Sequence, residues 1–175
     1  MALVLSGDSP SLSGTYQGGA ITSGTSVATT SGTSIDFTSI PSWVKRITVM
    51  FNVVSQNSSS QTLILQVGAG SVTTSGYTSG NAFIAPSTDS GNVTTGFPIN
   101  RGSGSSAAFS GNATICSFGS NQWVFSSTMA DAPIQGQVHF GAGVVTLSGT
   151  LDRVRLTTIG GTATFDAGSI NILYE

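Results

Sequence analysis

Ser148-Gly-Thr-Leu-Asp-Arg-Val-Arg-Leu-Thr-Thr-Ile-Gly-Gly-Thr-Ala-Thr-Phe-Asp-Ala-Gly-Ser-Ile-Asn-Ile-Leu-Tyr-Glu175 is the stretch whose reading decides the fold. Val154 and Leu156 alternate with Arg153, Arg155 and Thr157, and Ile170, Ile172 and Tyr174 alternate with Asn171 and Leu173. A period of two belongs to strands with one buried face, because successive side chains of extended backbone point to opposite sides. Gly160-Gly161 between the two runs is a turn signal and predicts a hairpin or another tight connection.

The same pattern recurs upstream. Ile47, Val49, Phe51 and Val53 alternate with Thr48, Met50 and Asn52, which predicts a long half-buried strand with Trp43 in the corner that leads into it. Leu63, Leu65 and Val67 form a second buried face opposite Ile64 and Gln66, and the polar run 56–61 between these strands reads as a hairpin loop. Shorter strands are expected at 35–37, 113–118, 122–126, 134–140 and 144–147. Eight or more short strands with regularly spaced turn signals predict an all-β protein, an antiparallel β-sandwich or jelly roll.

Composition agrees. Charged residues make up 7% of the 175, with a single Lys (Lys45) and a single Glu (Glu175), whereas exposed helix faces are normally built from many of both. Ser, Thr and Gly supply the polar positions instead. The length predicts one domain with a core that needs no staples. Residues 1–34 read as an N-terminal arm or edge strands used for attachment, and 35–175 as a single β-sandwich domain. A loop-rich excursion at 68–106 interrupts that domain, and loops of this kind are where binding surfaces are carried.

Several function classes are disfavoured by the inventory. The formal net charge of −2 comes with no basic stripe, so nucleic acid is not an expected partner. No run of 18 apolar residues appears, and Met1-Ala-Leu-Val-Leu5 has neither the positive flank nor the length of a signal peptide, so membrane insertion is not expected. Leu3, Val4 and Leu5 read instead as an attachment segment. Cys116, in the run Thr114 to Phe118, reads as a small core residue; pairing it with His139 as a catalytic dyad has no support from spacing. One His and one Cys fall short of a transition-metal site, no cofactor is expected, and calcium held by Asp89 or Asp131 with loop carbonyls is an unspecific alternative. The acids Asp8, Asp36, Asp89, Asp131, Asp152, Asp166 and Glu175 are not placed in pairs by the sequence, as glycan cleavage would require. Arg153 and Arg155 share one strand face, where Asp152 or Asp166 are candidate partners.

Aromatic rings beside amide and hydroxyl side chains are natural equipment for a sugar site. Tyr77 and the run Asn121-Gln122-Trp123 have that composition and are the candidate ligand or partner contacts. A Trp flanked by Val124 and Phe125 on a strand also fits a core position.

Two blocks carry a family resemblance: Leu147 to Leu151 with the ending Asp166-Ala-Gly-Ser-Ile-Asn-Ile172, and residues 32–54. Together they resemble the C-terminal β domain of bacteriophage tail-fibre and tailspike-type proteins. The resemblance implies a non-enzymatic virion structural protein, assembled in the host cytoplasm and mounted on the outer surface of the particle as a homotrimer. In that role it contacts other virion proteins and adsorbs to host-surface glycan. A capsid decoration protein that clamps the head shell is the alternative, and a polysaccharide depolymerase or a lectin are more distant ones.

Overall fold

The computed structural model describes residues 21–58, 61–84, 89–102, 104–131 and 136–175. Among them the secondary structure is all strand: β1 (Thr22–Ser23), β2 (Val27–Ala28), β3 (Ser34–Thr38), β4 (Arg46–Gln56), β5 (Leu63–Ala69), β6 (Ser71–Val72), β7 (Thr78–Ile84), β8 (Asp89–Val93), β9 (Phe97–Pro98), β10 (Phe109–Gly119), β11 (Gln122–Asp131), β12 (Gln137–Thr146), β13 (Arg153–Thr158) and β14 (Phe165–Tyr174). They form two antiparallel sheets packed face to face, a β-sandwich. The larger sheet runs β1-β14-β4-β10-β11-β12-β7-β8, with β2 also paired to β14; the smaller runs β3-β13-β5-β6, with β9 also on β5. Its centre is a meander, β10-β11-β12, and this connectivity does not establish the jelly-roll order.

The core follows from alternation. Ile47, Val49 and Phe51 of β4, Ala113 and Ile115 of β10, Trp123, Phe125 and Met129 of β11, and Ile170 and Ile172 of β14 point inward from the large sheet. Ile35, Leu63, Leu65, Val67, Val154 and Leu156 meet them from the small one. Phe97 clasps the two sheets. Its backbone pairs with Leu65 of the small sheet, while its ring stacks on Phe125 of the large sheet at 4.6 Å and takes the edge of Tyr77 at 4.9 Å. The close crossing depends on Gly141, since a Cβ at that position would overlap the Pro98 carbonyl oxygen.

Four sequence expectations change. Val53 is exposed, and Val54 takes the inward place instead. The cause is a bulge: Val53 has φ of 55°, its N–H donates to Ser110 Oγ at 3.0 Å, and the register slips against β14 and β10. An extra residue in a strand inverts the phase beyond it. Neither β4 and β5 nor β13 and β14 form the expected hairpins, because β4 and β14 lie in the large sheet while β5 and β13 lie in the small one. Gly160-Gly161 is still a tight turn, closed by Gly161 N–H to Thr158 O at 2.9 Å. The 68–106 excursion contains regular structure, since β7 and β8 extend the large sheet by a hairpin. Its loop character was overestimated because Gly, Ser and Asn there are inward or edge positions of strands. Residues 134–140 and 144–147, read as two strands, belong to one continuous strand where they are described, and residues 21–28 supply edge pairing on β14.

Gly141→Ala is expected to cost about 1–3 kcal/mol of stability through overpacking against the Pro98 carbonyl. Gly149→Ala, whose Cβ would meet only Ala69 Cβ at 3.6 Å, should leave the urea unfolding midpoint close to wild type. Equal midpoints for both variants would show that the clasp is not tightly packed.

Candidate functional site

The tip of the β10–β11 hairpin gathers the exposed aromatic and amide groups that the sequence singled out in part. Gly119 pairs with Gln122, leaving Ser120 and Asn121 as a two-residue loop with φ of 49° and 60°. Positive φ at both central residues is the type I′ geometry whose twist matches antiparallel strands, and Asn tolerates it better than most residues. The loop is anchored by Leu147 N–H to Asn121 O at 3.0 Å, and the strand before it by Ser117 N–H to Lys45 O at 2.8 Å.

Two clefts flank the tip. One of about 190 Å³ is lined by Ser42, Lys45, Ser117, Asn121, Trp123 and Thr150, among others. A second of about 350 Å³ is lined by Phe118, Gly119, Ser120, Gln122 and Thr146. The Gln122 amide reaches Thr146 Oγ1 at 3.4 Å. Phe118 stands 74% exposed beside it. Of the sequence candidates, Asn121 and Gln122 therefore come together here with side chains at the surface. Trp123 is buried in the core and forms only part of a cleft wall. Phe118 was missed, although period two carried it outward: with Ala113 and Ile115 inside, Thr114, Cys116 and Phe118 fall on the outer face. For the same reason Cys116 is half-buried on the outside of β10 rather than in the core.

Tyr77 lies apart, at the base of a groove of about 400 Å³ lined also by Thr78, Gly80, Asn92, Thr94 and Ala142. Its ring is buried. Its hydroxyl accepts from Val67 N–H at 2.9 Å and donates to Thr73 O at 3.1 Å, and burial pushes its pKa up to about 12. This is a residue that pins the β5–β7 connection, with no face left for a ligand to stack on. Leu3, Val4 and Leu5 lie outside the described residues.

The acids are dispersed. Asp36 forms a bidentate pair with Arg155 at 2.7 and 2.8 Å, and Asp152 one with Arg153 at 2.7 and 3.0 Å. The Arg153 hydrogen bond holds the Asp152 carboxyl below the usual range. Asp166 accepts from the Ser55 hydroxyl, not from an arginine, and Glu175 pairs with Arg46. Among the described residues no group of three or more His, Cys, Asp or Glu side chains is placed to hold a metal. The chain matches no family model, no curated protein and no solved structure.

Two ionisable groups are buried on the inner face of the large sheet. His139 is fully buried, with the edge of Phe109 at 5.3 Å and Phe83 at 5.6 Å. Its Nδ1 accepts the Arg101 backbone N–H at 3.1 Å, and burial lowers its pKa to about 4. Asp131 is also fully buried, and desolvation raises its pKa against the opposing influence of the Ala108 backbone N–H. The two act on stability with opposite sign. The unfolded chain takes a proton on His139 near pH 6.5 while the folded chain resists until about pH 4, so stability falls as pH drops through that window. Asp131 is ionised more readily in the unfolded chain, so its contribution falls as pH rises above the ordinary carboxylate value.

Resisting protonation between pH 6.5 and about 4 makes buried His139 cost the folded chain roughly 3 kcal/mol at the acid end, on 1.36 kcal/mol per pKa unit. His139→Gln should flatten the urea-midpoint profile in that window, and Asp131→Asn should raise the midpoint at pH 7. An unchanged slope in the histidine variant would mean that His139 is protonated in the native protein.

Proposed function

We propose that this chain is a non-enzymatic structural protein of a bacteriophage virion, a tail-fibre or tailspike-type knob that adsorbs to host-surface glycan. It sits on the outer surface of the particle as a homotrimer. The resemblance of residues 32–54, 147–151 and 166–172 to fibre endings supports the virion role. The observation that carries the adsorption role is the β10–β11 tip, where exposed Phe118 stands beside Gln122 and Asn121 between two clefts.

The chemistry of that tip suits a neutral sugar. A pyranose presents an apolar C–H face and a rim of hydroxyls; an aromatic ring covers the first, and amide and hydroxyl side chains pair with the second. Phe118 supplies the ring. Asn121, Gln122, Ser117, Ser120 and Thr146 supply donors and acceptors of both kinds. Lys45 is the one cation lining the clefts, so an acidic sugar gains a single charge contact at most. The type I′ loop fixes the tip before binding, which lowers the ordering cost on association.

A panel of bacterial surface polysaccharides, arrayed and probed with the purified chain, tests the proposal. Phe118→Ala and Gln122→Ala are each expected to weaken the bound glycan about tenfold, corresponding to about 1.4 kcal/mol. Both residues are surface-placed, so melting temperatures should stay near wild type. Binding that survives both substitutions would move the receptor surface elsewhere, and no binding across the panel would remove the adsorption role.

A further inference from the structure

The two clefts at the β10–β11 tip differ in charge. The one beside Phe118 is lined by hydroxyl and amide side chains and holds no ionisable group. The other, of about 190 Å³, opens at the end of the sandwich, where Val44 leads into β4 and Leu151 into β13. Its floor is apolar, made by buried Val44, Trp123 and Leu151, and its rim carries the polar groups of Ser42, Asn121 and Thr150. Lys45 is the one ionisable residue that lines it. Strand phase accounts for this position. Arg46 opens β4 on the outer side with Thr48, where Glu175 pairs with it, so the residue before it faces the other way. Lys45 is rooted by its main chain: its N–H donates to Glu175 O at 2.7 Å, and its carbonyl accepts from Ser117 N–H at 2.8 Å. Its ammonium has no counter-charge. Arg46, Arg153 and Arg155 each hold a carboxylate, whereas among the described residues Lys45 meets none within ion-pair reach. Asp152, just beyond the Thr150 rim, is turned to Arg153 and to the Gly70 N–H.

We propose that this smaller cleft takes a hexuronic acid residue with its carboxylate on the Lys45 ammonium, while the neutral sugar next to it in the same glycan lies on Phe118. The proposal rests on the adsorption reading and deepens it, naming the ligand as an acidic polysaccharide. Size limits the cleft to one residue: about 190 Å³ falls below the roughly 300–1,000 Å³ that encloses a whole drug-sized ligand. The apolar floor suits the C–H face of a ring and the polar rim its hydroxyls. A single ammonium is a point charge that matches one carboxylate, and no acid lines the cleft to oppose it. A uronate carries its charge on the ring itself, so ring and carboxylate enter together. A phosphodiester carries the charge between residues, outside a cleft that holds one. The two clefts share Gly119 and Ser120 as a common wall, so consecutive residues of one glycan straddle the type I′ loop.

The polysaccharide panel tests the proposal when each hexuronate-containing member is also present with its carboxyls reduced to alcohols, and phosphodiester-linked polymers are included. Wild type is expected to bind a hexuronate polymer about threefold to fivefold more tightly than its reduced form, the range of a partly exposed ion pair. Lys45→Gln should bind both forms alike, at the wild-type affinity for the reduced one, and Lys45→Arg should restore much of the difference. Added salt should narrow the wild-type preference. Only main-chain groups of Lys45 hold the fold, so both variants are expected to melt with wild type. Equal binding of native and reduced polymer by wild type, or a preference that persists in Lys45→Gln, overturns the proposal. So does binding confined to neutral or phosphodiester-linked polymers. Those outcomes leave adsorption at the tip standing, whereas absence of binding to every polymer removes it and this proposal together.

Discussion

The structure depends on one crossing point, where Phe97 of β9 reaches between the sheets. Its backbone belongs to the small sheet and its ring to the large one, against Phe125 and Tyr77. The Tyr77 hydroxyl returns to the backbone of β5, and Gly141 leaves room for the Pro98 carbonyl. Without this clasp, β5 would lose cover for its buried inner row and β7–β8 would lose the anchor that brings it onto the large sheet. Aromatic packing of this sort combines large buried area with a preferred geometry, and so fixes the sheet separation as well as stabilising it.

Much of the architecture was legible because period two is a direct consequence of the pleat. The inward sets of β4, β5, β13 and β14 were readable from Ile47, Leu65, Leu156 and Ile172 and their neighbours. What was not legible depends on residues far apart in sequence. Val53 breaks the period because β14 and β10 both slip register beside it, and no local pattern announces that. Gly160-Gly161 marks a turn correctly and the polar run after β4 marks the end of that strand, yet such signals alone do not say whether the next strand joins the same sheet. Tyr77 looked like a surface ring because its neighbours are Gly and Ser, while its hydroxyl partners lie at Val67 and Thr73. In the candidate site, Asn121 and Gln122 were found from composition, and Phe118 was available from strand phase alone.

Charge is the scarce resource of this chain, and its placement orders the surface. Guanidinium–carboxylate pairs decorate the small sheet, the Arg46–Glu175 pair closes the C-terminal edge, and desolvation favours the neutral forms of buried His139 and Asp131. The outward side of β7, β10, β11 and β12 has only hydroxyl, amide, thiol and apolar groups to offer. Such a surface discriminates by shape and hydrogen bonding rather than by long-range steering, which suits contacts with neutral partners.

Backbone amide shifts of the isotope-labelled chain, followed while the bacterial polysaccharide that binds most strongly in the array is added, test the assignment of the tip most directly. Changes centred on Phe118, Gly119, Ser120, Asn121 and Gln122, extending to Lys45, Thr146 and Thr150, are the expected result. Changes centred on the Tyr77–Asn92 groove or on the outer face of β11 and β12, with the tip unmoved, would contradict it.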